Sequence, residues 1–186
     1  MKEGQRLNTQ HFTARRRSGS FFGALALGTA ALFGACSEPV DLTLPTEDQA
    51  MGYFESSSAV QGVEMNGNVA VITVVQRTAD LRRGGALWAK MGPYIHIFSP
   101  ATEELLRDHP GLAGVRVRTV TSSDTEVASV LLERATLNDI TWSGARTRVA
   151  HALTDRGAEQ VRSIERLVEY GERRTSHEYN DRFVKR

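Results

Sequence analysis

The chain has 186 residues, with 23 Lys and Arg against 22 Asp and Glu and a formal net charge of +1. A hydrophobic fraction of 40% and a charged fraction of 24% describe a globular chain and exclude a disordered or multi-spanning one. Its single Cys excludes an internal disulfide framework and a cysteine-built zinc site.

The first 36 residues fall into three parts. Residues 1–20 are polar and basic and close on Arg15-Arg16-Arg17; Phe21 to Ala35 is a run of 15 residues without a charge; Cys36 follows. A basic region, a short apolar region and small residues before a cut form the pattern of a secretory signal. A permanent span needs about 20 apolar residues, and Gly23, Gly28, Thr29 and Gly34 weaken a helix here.

Phe33-Gly34-Ala35-Cys36 resembles the lipobox of bacterial lipoproteins. The resemblance covers the leader alone. It implies that the Cys36 thiol is diacylglycerylated, that residues 1–35 are cut away, and that the new N-terminus is acylated. The membrane is then a partner through lipid, on the extracytoplasmic side of the bacterial cell envelope. Two or three buried acyl chains, at about 0.8 kcal/mol per CH₂, make such an anchor stable.

Loss of the leader changes the charge. The mature chain keeps 18 basic and 21 acidic residues, a net charge of −3. Residues 36–61, with Pro39, Pro45 and Ser56-Ser57-Ser58, read as a lipid-anchored tether. Within it, Thr46 before Glu47, Asp48 and Gln49 predicts a short capped helix with Met51 and Phe54 on one face. Residues 62–172 read as the folded domain and 173–186 as a charged, frayed tail.

Val63-Glu64-Met65 and Val69 to Val75 flank Asn66-Gly67, which predicts a hairpin on a type I′ turn. The second run is apolar on both faces, as in a strand buried on both sides. Arg77 to Lys90 reads as a mobile loop, with Arg82-Arg83-Gly84-Gly85 as an anion-binding candidate, and Pro93 to Phe98 as a strand. Ser99-Pro100 opens a helix that stops before Pro110-Gly111. Val115 to Thr121 alternates as a strand, Ser122 to Thr125 is a turn, and Glu126 to Arg134 fits a returning strand or a helix. Val149, Leu153, Val161, Ile164 and Val168 then share one face of a helix with weak points at Gly157 and Gly171.

These elements predict an α+β fold: a small, mainly antiparallel sheet from Gly62 to Arg134, packed by a C-terminal helix that begins near Ser143. Residues 144–186 carry 10 basic against 7 acidic groups, a face that suits anionic lipid or an acidic partner unless Glu residues pair with it.

Motifs for chemistry are sparse. The histidines His96, His109, His151 and His177 stand at no recognised metal spacing, and Trp142-Ser143-Gly144 is only a fragment of a nucleophile elbow. No catalytic set, cofactor, metal or nucleic-acid partner is expected. The sequence reads as a noncatalytic binding or scaffolding component with an envelope protein as partner. Its rivals are a small hydrolase or transferase, for which His96, Asp108 and Ser143 are the residues to watch, and a lipid carrier with an apolar cavity between sheet and helix.

Overall fold

Alternation and β-branching build the sheet. The computed structural model describes residues 40–185, so the leader, the lipid site Cys36 and residues 37–39 lie outside the described residues. β1 (Val60–Asn66) and β2 (Val69–Val75) form the expected antiparallel hairpin. Asn66 pairs with Val69, so Gly67 and Asn68 are the two turn residues, and only Gly67 has a positive φ, 60°. That is the glycine-first pattern of a type II′ turn, one residue along from the expected type I′ turn.

β3 (Gly114–Val120) runs parallel to β2, while β4 (Glu126–Glu133) and β5 (Ser176–Tyr179) continue antiparallel. The order is β1-β2-β3-β4-β5, a mostly antiparallel sheet in an α+β fold. The parallel step from β2 to β3 needs a long crossover. Two helices supply it, α2 (Thr78–Ile97) and α3 (Pro100–Asp108). α1 (Glu47–Gly52) precedes the sheet, and α4 (Asp139–Thr154) and α5 (Gly157–Glu172) follow β4. A last turn, α6 (Asp181–Val184), comes after β5.

One face of the sheet makes the core. Ala70, Ile72 and Val74, Val115 and Val117, and Val130 and Leu132 meet Met91, Tyr94 and Ile97 of α2 and Phe98 at its end, with Ile164 and Leu167 of α5 joining the cluster. α2 lies on β3 and β4; α5 packs onto α2 and onto α4. The other face is polar. There Arg116 donates to Ser129 Oγ at 3.1 Å and Arg118 to Glu126 at 2.9 Å. β2 is therefore buried on the helix side, while on the other only Val71 is buried, with Thr73 and Val75 half-buried.

α2 replaces both the loop expected at Arg77–Lys90 and the strand expected at Pro93–Phe98. Its stripe is Leu87, Met91, Tyr94 and Phe98, a helical spacing of four, three and four. Gly85, at φ 55°, absorbs a kink between two helical stretches. Pro93 removes a donor inside the helix, and the carbonyl of Trp88, in the turn before it, accepts from Gln76 Nε2 at 2.6 Å.

The ends of the chain also pack. α1 forms on its Thr46–Gln49 capping box, and Pro45, Ala50 and Phe54 are buried within the segment expected as a tether. The tail expected to fray supplies β5, and Phe183 and Val184 of α6 pack against Leu81, Ala89 and Val127. The packed unit thus exceeds 62–172 at both ends. The single helix expected from Ser143 starts earlier, on an Asn138–Thr141 capping box, and breaks at Asp155-Arg156, where Gly157 takes φ 59°. Leu153 and Val161, placed on its apolar face by spacing, are 44% and 48% exposed beside that break.

Candidate functional site

β2 and β3 end side by side, at Val75 and Val120, and the amide of Gln76 extends their pairing by donating to Val120 O at 2.7 Å. From there the chain must leave the sheet to enter α2. Only β2 leaves by a crossover, since β3 turns directly into β4, and this departure toward α2 opens a crevice between that helix and the strand ends. A cavity of about 420 Å³ occupies this crevice. Ala59, Val74, Trp88, Met91 and Ile95 give it an apolar wall, and Leu153 of α4 stands at its rim.

Gln76, Thr119 and His96 supply polarity within this wall. Gln76 is only 8% exposed as a residue, and its carboxamide is held within the chain. It is wedged between the Trp88 carbonyl and Gly92, where a Cβ would fall 2.7 Å from Oε1 and 2.9 Å from Nε2. Nε2 is satisfied by Trp88 O, but Oε1 has no hydrogen-bond partner among the described residues. Exchanging O and N would set two oxygens against each other, so the donor to Trp88 fixes the orientation. An unpaired buried polar atom costs about 1–3 kcal/mol.

His96 sits in α2 and faces the same space. Burial pushes its imidazole down to about 4, so the ring is neutral at neutral pH. Thr119, 1% exposed, spends its hydroxyl on Ala128 O at 3.4 Å. At the mouth, Arg77 and Asp80 form an ion pair at 3.0 Å, with the Arg77 side chain 82% exposed.

The three residues named for a hydrolase do not meet. His96 lines this cavity. Asp108 stands at the end of α3, accepting from Tyr53 Oη at 3.1 Å, beside a second cavity that it shares with Asp41 and His109. Ser143 is exposed on α4. A nucleophile needs its base within about 3.2 Å, which this dispersal does not offer. His109 lies 3.3 Å from Tyr53 Oη, His151 lies 3.7 Å from Asp155, and His177 is exposed on β5. Among the described residues no cluster of His, Cys, Asp and Glu suits a metal ion, and no helix is long and apolar enough to cross a membrane.

The basic C-terminal region is largely engaged within the chain. Arg148 and Arg174 stack on the Tyr170 ring at 4.4 and 3.8 Å, whose hydroxyl donates to Thr141 O at 2.8 Å. Glu159 takes Arg162 and Arg166 at 3.2 and 3.3 Å, and Glu169 takes Arg173 at 2.9 Å. Of the anion candidate Arg82–Gly85, Arg82 is exposed on α2 and Gly85 forms its kink.

Sequence reasoning singled out His96 but missed Gln76, Trp88 and Thr119. The signal for Gln76 was a lone carboxamide closing a seven-residue apolar strand. Comparison of the chain with protein-family models, with curated proteins and with solved structures finds no match.

Proposed function

We propose that this is a lipid-anchored envelope protein whose α+β domain is a binding module, with the cavity between α2 and the ends of β2 and β3 as its ligand seat. Residues 1–35 direct export, Cys36 carries the lipid, and the anchor holds the module on the extracytoplasmic side of the envelope. The observation that carries the binding role is the cavity of about 420 Å³, with Ala59, Trp88 and Ile95 in its apolar wall. The polar open face of the sheet, bearing Arg116 and Arg118, offers surface to an envelope protein partner.

Two measurements test the two halves separately. Growth with labelled palmitate should label the chain, and Cys36→Ser should abolish the label; a label that survives the substitution refutes the anchor. Native mass spectrometry of the chain recovered from membranes should find an added small-molecule mass that Ala59→Trp, which fills the seat, removes. An unliganded chain, or a mass indifferent to Ala59→Trp, refutes the seat.

A further inference from the structure

We infer that the segment Val40 to Leu44 is a contact site for a zwitterionic lipid surface, and that it leaves the cavity at the end of the sheet away from the bilayer. This rests on the proposed lipid at Cys36 and adds the part of the domain that meets the membrane. Three observations converge on it.

The first is exposure on a held backbone. Among the described residues six large apolar side chains are exposed, and Val40, Leu42 and Leu44 are three of them, the first two at 66% and 65%. The amide of Thr43 donates to Asp41 Oδ1 at 2.9 Å, and Thr46 opens the capping box of α1. The carbonyl of Leu42 lies over Gly111, where a Cβ would fall 2.1 Å from its oxygen. Pro45 and Ala50, next along the chain, are buried. The fold thus turns part of this apolar stretch inward and leaves the rest in water. Clustered exposed apolar groups mark a contact with lipid or protein.

The second is reach, which selects lipid. Val40 is four residues beyond Cys36, at most about 14 Å away even along a fully extended chain. Acyl chains on Cys36 lie in the bilayer, so the three aliphatic groups are kept beside that apolar phase. An apolar segment next to an acyl anchor supplies a second attachment.

The third is charge. Residues 37–76 hold six carboxylates, of Glu38, Asp41, Glu47, Asp48, Glu55 and Glu64, and no Lys, Arg or His. Arg107, near the end of α3, pairs with Asp108 at 3.4 Å. Juxtamembrane Lys and Arg draw a chain to anionic headgroups, and this stretch has none. The contact is therefore apolar, and anionic lipid does not strengthen it.

The sheet then sets an orientation. Gly111 stands just before β3, while Leu153 lines the cavity beside Thr119, near the other end of that strand. The seven residues of β3 span about 20 Å.

The single Cys makes the test clean. Once Cys36 is acylated the mature chain has no free thiol, so Val40→Cys, Leu42→Cys and Leu153→Cys each offer one site for a nitroxide label. The acylated chain is placed in phosphatidylcholine vesicles. Electron paramagnetic resonance then compares relaxation by oxygen, which concentrates in the bilayer, with relaxation by a nickel chelate, which stays in water. Oxygen should win several-fold at 40 and 42, and the chelate should win at 153. Added phosphatidylglycerol, an anionic lipid, should leave the ratio at 40 and 42 unchanged or lower it. Chelate-favoured relaxation at 40 and 42 overturns the contact, and oxygen-favoured relaxation at 153 overturns the orientation. Shielding of 40 and 42 from both agents, with broadening between labels, would place a second copy on the segment and overturns lipid as its occupant. A ratio that rises with phosphatidylglycerol overturns the zwitterionic assignment. Label taken up by the native chain reveals a free Cys36 thiol and overturns the anchor together with the contact. An unlabelled native chain with a failed contact overturns the contact alone.

Discussion

Gly171 of α5 lies against the ring of Tyr94 in α2, so close that a Cβ on it would fall 2.3 Å from the Tyr94 Cε1 atom. Tyr94 is fully buried, so the ring has nowhere to go. Gly171→Ala should destabilise the domain by about 1–3 kcal/mol, the range for overpacking a closed core. Urea unfolding checks this, and Tyr94→Leu in the same chain should recover part of the loss. Additive losses would mean that the two residues do not share the contact.

Tyr94 also ties the last strand down. Its hydroxyl lies 2.9 Å from that of Tyr179 on β5, and Lys90 bridges to Glu172 at 3.1 Å beside them. Tyr179→Phe removes the Tyr179 partner of the Tyr94 hydroxyl and should cost about 1–2 kcal/mol. The Tyr94→Phe, Tyr179→Phe double variant should lose no more than the worse single one. Hydrogen exchange at residues 176–179 should quicken in both single variants.

Arg134, just after β4, closes the end of α3 from outside the helix. It donates to Leu112 O at 2.6 Å and also to the carbonyls of Leu106 and His109. Arg134→Ala strips three acceptors of one charged fork and should cost about 2–3 kcal/mol, with Arg134→Lys recovering less than half of it. Denaturant midpoints measure both; full recovery by Lys would show that charge, not fork geometry, does the holding.

His96 gives the fold a pH dependence of known sign. Its pKa is about 4 in the folded chain against the ordinary 6.5, so the unfolded chain takes up the proton first. The stability of the neutral ring is fully present above pH 6.5 and is lost as pH falls toward 4. The whole loss is on the order of 3 kcal/mol. His96→Gln should flatten this part of the profile, measured as unfolding free energy at pH 7, 5.5 and 4.5. Parallel profiles for the two chains would show a solvated ring.

The first hairpin was readable in the sequence because a single local rule wrote it. Asn66-Gly67 between β-branched runs fixes the turn to within one residue, and strand alternation does the rest. α2 was not readable, because its breakers outvoted its stripe: Gly84-Gly85 and Pro93 punctuate it, while Leu87, Met91, Tyr94 and Phe98 carry the helical spacing. What forms it is tertiary: the sheet buries the stripe. The candidate site shares that fate. His96 was visible as a residue, but its place in the cavity lining depends on the very helix that these breakers hid.

β5 pairs with β4 across a gap of two whole helices in the chain. Until residues 176–179 have been made, β4 offers the bare outer edge of a strand whose Val127, Val130 and Leu132 are otherwise buried. A chain cut short after α5 is therefore a hazard to its neighbours: it carries an open template on which other chains can add strands.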